Sequence, residues 1–276
     1  MGILYLVATP IGNLEDLSPR AVRILRESVL IAAEDTRHTG SLLKHFDIKT
    51  PLTSYFEHNK LIKQDYVLGK LSEGDVAIVS DAGTPAINDP GYELVRAALA
   101  AGFDVRPVPG PSAPISALTV SGLPTDAFLY LGYLPHKSGD RRKAVEQIAN
   151  LRYTLIFLET PHRLLDSLAD LLSVLGDRRI SISRELTKLY EETWRGTIRG
   201  AIEYFTVKEP RGEFTLVVEG QQTVDGGRWT EEQLLSAIQA ELQSGKSASQ
   251  LAGELADQSG WKKKEVYNLI LKGVSS

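Results

Sequence analysis

Through the first 125 residues short apolar runs alternate with amphipathic stretches, the pattern of βα units joined into a mostly parallel sheet. Ile3 to Ala8 reads as a buried first strand. Ser18 followed by Pro19 supplies an N-cap and a first-turn proline for a helix on which Ala21, Val22 and Leu25 recur at helical spacing. Val29 to Ala33, Val76 to Ser80 and Val105 to Val108 read as further strands, each closed by a polar or Gly/Pro-rich turn. After a boundary at Leu123-Pro124-Thr125-Asp126 a second series begins. It has strands at 128–133, 154–158, 180–183 and 214–218 and helices near 140–150 and 162–175. Residues 220–228 carry no period and read as a linker. Beyond it, Thr230-Glu231-Glu232-Gln233 and Ser247-Ala248-Ser249-Gln250 match the capping box and start two helices, and a third covers 262–271 after the turn Gln258-Ser259-Gly260. The expected fold is α/β, with an N-terminal α/β domain over 1–124, a second over 125–222, and a helical, helix-turn-helix-like extension over 230–276.

Composition then removes whole classes of chemistry. With 31 Lys plus Arg against 35 Asp plus Glu the formal charge is −4, so any surface for nucleic acid is local. No cysteine is present, which excludes disulfides, thiolate metal sites and thiol nucleophiles and fits a reducing compartment. The opening apolar run is too short for a signal sequence, and no stretch approaches the ~18 to 20 apolar residues that cross a bilayer; a cytoplasmic protein without membrane contact is expected. Gly-x-Gly-x-x-Gly, His-Glu-x-x-His and Gly-x-Ser-x-Gly are all absent, which disfavours the usual dinucleotide loop, metal hydrolysis and acyl transfer, and no metal site is expected. Gly245-Lys246-Ser247 ends like a phosphate loop, but Ala240 stands where its first glycine belongs, and a helix end is expected there.

What remains are four unusual turns after strands: Thr9-Pro10-Ile11-Gly12-Asn13, Glu34-Asp35-Thr36-Arg37-His38, Asp81-Ala82-Gly83-Thr84-Pro85 and Pro109-Gly110-Pro111-Ser112. In parallel sheets ligands bind beyond the carboxyl ends of strands, so these turns are expected to converge on one cleft. Gly83 and Gly110 admit a ligand close to the main chain, Thr84 and Ser112 add hydroxyls, and Pro85 and Pro111 stiffen the turns. Gly and Pro that merely shape turns are the alternative. A site of this kind holds substrates in line rather than reacting with them, which suits group transfer from an activated donor.

These turns, read with Leu6-Val7-Ala8 before the first and Gly212-Glu213-Phe214-Thr215-Leu216-Val217-Val218 late in the chain, resemble the tetrapyrrole-methylase superfamily. Within it the resemblance is to the branch that methylates the ribose 2′-hydroxyl of a cytidine in the decoding region of 16S small-subunit rRNA, and it spans the whole chain. It implies S-adenosylmethionine in a cleft between the two α/β domains, held by Pro10, Ala82, Gly83, Thr84, Ile87, Ser112 and Ala113, with Leu158 and Leu186 at analogous strand ends of the second domain. It also implies a homodimer acting on rRNA or the 30S subunit. Porphyrin-type relatives carry Gly-Gly-Asp-Pro where this chain has Ala82-Gly83-Thr84-Pro85, which keeps backbone contacts and removes a carboxylate from that turn.

A ribose hydroxyl is a poor acid, so the reaction implied needs a proton acceptor. Glu34 and Asp35, at a strand end, are the expected bases, with Arg37 and His38 to orient the ribose or its phosphate; an Asp35–Arg37 pair that braces the turn is the alternative. His162, Arg163, Arg184 and Glu185 are second-rank candidates. For RNA phosphates the expected contacts are Lys137, Arg141, Arg142 and Lys143, in a segment of net charge +3 over seven residues, together with Arg163, Arg184 and the run Lys262-Lys263-Lys264. Solvated helix faces explain these runs nearly as well. Tyr55, Phe56 and Trp194 are candidates for base stacking or for the core. The rival functions are a tetrapyrrole C-methyltransferase, which would lack the C-terminal extension, and a non-catalytic RNA-binding protein. Residues 230–276 hold five Lys/Arg against six Asp/Glu, so a structural or dimerising helix bundle also fits that extension.

Overall fold

Five short apolar strands, β1 (Ile3–Val7), β2 (Leu30–Ala33), β3 (Leu52–Ser54), β4 (Val76–Val79) and β5 (Asp104–Val108), form one sheet in the order β3-β2-β4-β1-β5. Every neighbouring pair in it is parallel. The computed structural model describes residues 2–56, 60–89, 91–221, 229–241 and 247–274. Because β2 and β4 are buried along their whole length, both faces of the sheet must be covered. Helices α1 (Pro19–Glu27) and α2 (Thr36–His45) supply Ala21, Ile24, Leu25, Leu42 and Leu43 to one face. From α3 (Lys60–Glu73) and α4 (Gly91–Ala100), Val67, Leu71, Leu94 and Ala98 cover the other. The predicted cap of α1 forms as its sequence requires: Ser18 Oγ accepts the Ala21 amide at 3.1 Å and Pro19 opens the helix.

Strand β3 has no counterpart in the sequence pattern. Its three residues are too few to display a period, and its position is fixed by pairing with β2, where Ile31 faces Leu52. The next helix, α5 (Ala113–Ser121), precedes the expected boundary at 124 yet packs against the second sheet, with Ala117 and Leu118 on Ile156 and Val217.

That second sheet contains β6 (Phe128–Tyr133), β7 (Thr154–Glu159), β8 (Arg179–Arg184), β9 (Glu192–Thr197) and β10 (Phe214–Val218) in the order β6-β7-β10-β8-β9. It is mixed: β6 runs parallel to β7, and the other pairs are antiparallel. One face carries Leu155, Phe157, Ile180, Ile182, Leu216 and Val218 against α6 (Ser138–Glu146), α7 (Leu164–Leu175) and α8 (Ile198–Val207). The alternate residues point to α5 and to the cleft described below. Edge strand β9 reads Glu-Thr-Trp-Arg-Gly-Thr and is the other strand that sequence pattern misses; it lacks an apolar face of its own and is held by its register on β8.

By contact the chain divides into two compact units, Met1–Gly220, which contains both sheets, and Gln221–Ser276. The second unit holds α9 (Glu231–Glu241), α10 (Ala248–Ser259) and α11 (Lys263–Val274), which share a core of Leu234, Ile238, Leu251, Leu255, Val266 and Ile270. Both capping boxes form: Gln233 N–H donates to Thr230 Oγ1 at 3.2 Å and the Thr230 amide to Gln233 Oε1 at 3.0 Å. The same reciprocal pair joins Ser247 and Gln250. Most of the expected linker, 222–228, and Gly245 and Lys246 lie outside the described residues. Among the described residues no helix is long and apolar enough to cross a membrane.

One expected RNA contact is overturned here. Arg141 turns inward, its side chain 3% exposed, and its Nε and Nη2 lie 2.7 and 2.6 Å from Asp170 Oδ2. Its Nη1 donates to the carbonyls of Pro135 and His136. The donors of this guanidinium are thus spent inside the protein, and it joins α6 to α7 instead of reaching a phosphate. Asp170→Ala would leave a buried charge without its partner and lower the unfolding free energy by about 3–5 kcal/mol in urea titration, whereas Asp170→Leu with Arg141→Met would recover most of that loss. Full stability of the single variant would show that the pair does not hold the helices.

Candidate functional site

The loop after β4 occupies the middle of the first sheet, and its neighbours are bonded to it. Thr9 and Gly83 exchange two backbone hydrogen bonds, of 2.9 and 3.0 Å, tying it to the loop after β1. The Asp35 amide donates to Asp81 Oδ1 at 2.9 Å, tying it to the loop after β2. Thr84 Oγ1 donates to the Pro111 carbonyl at 3.2 Å, tying it to the loop after β5. Gly83 has φ +80°, so the left-handed turn that makes the first of these ties possible favours glycine.

These loops form one wall of a cleft of about 340 Å³, within the usual size of small-molecule sites. Ile11, Glu34, the turn Asp81 to Thr84, Ile87 to Asp89, and Ser112 to Pro114 line that wall. The opposite wall comes from the second sheet. There Thr215 of β10 sits in register between Leu158 of β7 and Ser183 of β8, with Tyr133 of β6 beside Leu158. Tyr130, Glu185, Leu186, Lys188 and Glu213 complete it. The two walls meet at Gly12, where a Cβ would stand 2.4 Å from Lys188 Cγ and 2.9 Å from Thr187 Oγ1; only a residue without a side chain lets the loops approach so closely.

Of the residues expected to hold a cofactor, Ala82, Gly83, Thr84, Ile87, Ser112, Ala113, Leu158 and Leu186 line the cleft, while Pro10 does not and its neighbour Ile11 does. Of the expected catalytic residues Glu34 lines it; Asp35, Arg37 and His38 do not. Asp35 instead caps α2, accepting the Arg37 amide at 2.8 Å and Arg37 Nη2 at 2.8 Å. Those hydrogen bonds hold its carboxyl at about 2, too weak a base to take a proton near neutrality. The bracing pair is therefore the role the geometry gives Asp35 and Arg37.

Glu34 differs from its neighbour because of its surroundings. Burial raises its pKa above the ordinary 4.5, the negative charge of Asp81 adds to the rise, and a hydrogen bond from the Asp81 amide opposes it; Asp89 and Asp35 push further upward. Asp89 is raised as well, first by burial, although the amides of Gly91 and Ala86 donate to it at 2.7 and 2.8 Å. On the facing wall burial pushes Tyr130 up to about 12 and also raises Tyr133, so both phenols stay protonated as donors. The turn from 84 to 89 stores strain, with Ala86 at φ +67° and Asn88 at φ +61°. Sequence pattern gives no sign of Tyr130, Tyr133 and Asp89 as cleft residues, because they belong to an ordinary strand or to a turn whose meaning depends on the fold; Glu213 and Thr215 stand in the late motif, which gives them no role.

The remaining basic candidates divide by exposure. Lys137, Arg142, Lys143 and the run Lys262-Lys263-Lys264 are exposed. Arg163 is turned inward onto the carbonyls of Leu134 and Pro135 and lies 3.3 Å from Glu159. Arg184 is paired with Glu192 at 2.6 Å. Tyr55 is 1% exposed, and Trp194 packs against Tyr204 and Phe205, so both serve the core. Among the described residues no group of His, Asp and Glu is arranged to hold a metal ion.

A cleft at the carboxyl ends of a parallel sheet, closed by a second sheet and lined by backbone, small side chains and partly buried carboxyls, defines a small-molecule-binding enzyme of the α/β class. Comparison with known proteins gives the family. The profile of the tetrapyrrole (corrin/porphyrin) methylases matches residues 3–202, and the chain belongs to that family. A relative from Synechocystis sp., named ribosomal RNA small subunit methyltransferase I, is 47% identical over 274 residues, 99% of this chain and 98% of its own. One of the same name from Halalkalibacterium halodurans is 47% identical over 272 residues, 97% of this chain and 94% of its own. The crystal structure of uroporphyrin-III-C-methyltransferase from Thermus thermophilus shares the fold, with a TM-score of 0.56 at 22% identity over 79% of this chain and 94% of that one.

The titration of Glu34 tests the electrostatics of the cleft directly. Its side-chain carboxyl, followed by carbon NMR, titrates above the ordinary 4.5 of glutamate, and Asp81→Asn, which removes a negative charge but keeps the amide donor, moves it down. A Glu34 that titrates at the ordinary value in both proteins would contradict this picture.

Proposed function

We propose that the chain is an S-adenosylmethionine-dependent methyltransferase that 2′-O-methylates the ribose of a cytidine in the decoding region of small-subunit rRNA. The observation that carries this reading is that Glu34, a carboxyl with raised proton affinity, faces a cleft lined by small residues in a chain matched over its full length by relatives named ribosomal RNA small subunit methyltransferase I. We infer further that it works as a homodimer in the cytoplasm, on rRNA or the 30S subunit.

The residues present fit such a donor. Ala82, Gly83, Ser112 and Ala113 leave backbone accessible, and the carboxyls of Glu34, Asp81, Asp89, Glu185 and Glu213 set a negative field that favours a cation. Ala82, Gly83, Thr84, Ile87, Ser112, Ala113, Leu158 and Leu186 would hold it, with Pro10 acting through the shape of its turn. When bound, S-adenosylmethionine supplies a methyl group on a positively charged sulfur, open to in-line attack by an oxygen.

The protein's share is to orient the ribose and to take its proton. Glu34 accepts that proton: its raised affinity brings it closer to the hydroxyl it must deprotonate than an ordinary carboxylate would be. Tyr130 and Tyr133 offer phenolic donors to the ribose or its phosphate. Lys137, Arg142, Lys143 and Lys262 to Lys264 supply phosphate contacts outside the cleft.

Labelled methyl transfer to rRNA, to 30S subunits and to uroporphyrinogen tests the reading. Transfer to a ribose of the RNA is expected; transfer to uroporphyrinogen alone would identify a tetrapyrrole C-methyltransferase, and none at all a binding protein. Glu34→Gln lowers kcat by about a hundredfold or more and cofactor affinity far less, since four other carboxyls keep the negative field. In the wild type the rate falls as pH drops through the raised Glu34 pKa, so the acid limb lies above the ordinary glutamate range and vanishes in the variant; an unchanged limb would remove Glu34 from this role. Gly83→Leu, which puts a side chain into a left-handed turn at the cleft, weakens cofactor binding by roughly tenfold or more in calorimetry, and an unchanged affinity would show the donor binds elsewhere.

A further inference from the structure

The turn between β8 and β9 begins in the cleft wall and ends in solvent. Glu185, Leu186 and Lys188 line the cleft, while the next two residues, Leu189 and Tyr190, are 89% and 73% exposed. Among the rings of the second sheet and its helices Phe157, Phe205 and Phe214 are fully buried and Phe128 and Tyr133 are 41% and 45% exposed, so Tyr190 is barer than any of these. Nor is the turn a loose tip. The Lys188 amide donates to the Glu185 carbonyl at 3.0 Å, the Glu191 amide to the Lys188 carbonyl at 3.1 Å, and the Thr187 amide to Glu191 Oε2 at 2.7 Å. Glu185 and Thr187 take left-handed backbone angles, φ +51° and +66°, a cost that the hydrogen bonds of the turn offset.

We propose that Tyr190, flanked by Leu189, is the platform on which an unpaired base of the RNA substrate stacks beside the acceptor nucleotide. The inference rests on the RNA methyltransferase reading above. A ribose hydroxyl reaches Glu34 only if its nucleotide leaves the helical stack, and the neighbouring base then loses its stacking partner. An exposed phenol ring on the turn that lines the same cleft replaces that partner, since every base offers a π face and single-stranded RNA is held by such stacking. Lys188, which lines the cleft two residues before Tyr190 and whose Nζ lies 3.0 Å from Glu185 Oε1, adds an ammonium to the same turn. The occupant that fits is therefore one unpaired nucleotide adjoining the methylated one.

The test uses the full chain, saturating S-adenosylmethionine and the small-subunit RNA that the wild type methylates. Tyr190→Ala lowers kcat/KM for RNA by about tenfold or more, while cofactor affinity and melting temperature stay at wild-type values. Tyr190→Phe and Tyr190→Trp, which keep a stacking face, restore most of the loss. Three results overturn the stacking role and leave the methyltransferase reading standing: an undiminished kcat/KM in Tyr190→Ala, a loss that Tyr190→Phe does not repair, or an equal loss of cofactor affinity, which would make the turn a cover for the donor. Absence of methyl transfer to RNA by the wild type overturns both.

Discussion

The turn from Asp81 to Thr84 is the constraint on which the cleft depends. It follows the central strand of a parallel sheet, so the loops after β1 and β2 flank it, and it bonds to both of them and to the loop after β5. None of these ties involves two exposed charges. They are backbone pairs, an amide held by a half-buried carboxylate and a hydroxyl on a carbonyl, each contributing only about 1 kcal/mol by itself. Their effect lies in mutual fixation, because a loop held at one end by a strand and along its length by its neighbour has little freedom to lose when a ligand arrives. Small residues can then face the cleft without collapsing it.

Much of this first wall is legible in the sequence. Four turns after apolar runs, three of them containing both Gly and Pro, mark the strand ends, and parallel topology alone requires them to meet on one edge. The second wall is not legible in the same way. Thr215, Leu158 and Ser183 become neighbours only through antiparallel pairing of β10 with β7 and β8, strands separated in the chain by dozens of residues, and nothing local marks their register. Family resemblance reaches Leu158 and, through the late motif Gly212 to Val218, the strand that carries Thr215, but nothing in the sequence points to Tyr133 or sets Thr215 between Leu158 and Ser183. Strand β9 illustrates the same limit, since its polar sequence is held in place by its neighbour rather than by its own pattern. Spacing along the chain also cannot distinguish a surface from an interior: Arg141, in the middle of a basic run, is the most buried member of it.

Glu34 and Asp35 show how far adjacent carboxyls can be separated by a single turn of backbone. Asp35 meets the amide of Arg37 and its guanidinium at the start of α2 and becomes a weaker base than free aspartate. Glu34, one residue earlier, points into the cleft, loses water and faces Asp81 and Asp89, and becomes a stronger one. The two positions are not interchangeable, because a carboxylate that satisfies a helix terminus has surrendered its lone pairs to donors that do not leave. A strand end followed at once by a helix thus provides both an anchor and a free acid in consecutive positions.

The same acidic field sets a condition on the substrate. Glu34, Asp81, Asp89, Glu185 and Glu213 all border the cleft, with Lys188 as a cation on its far wall, an arrangement that attracts a sulfonium and repels a phosphodiester. A polyanion brought to this cleft has to be held by groups outside it, and its reacting ribose inserted against the field. Under the RNA methyltransferase proposal that work is assigned to Lys137, Arg142, Lys143, Lys262 to Lys264 and Tyr190. Basic groups give affinity that salt weakens, while stacking gives a fixed register that salt leaves largely intact. On that proposal an acidic cleft and an RNA substrate are reconciled by placing recognition and chemistry on different parts of the surface.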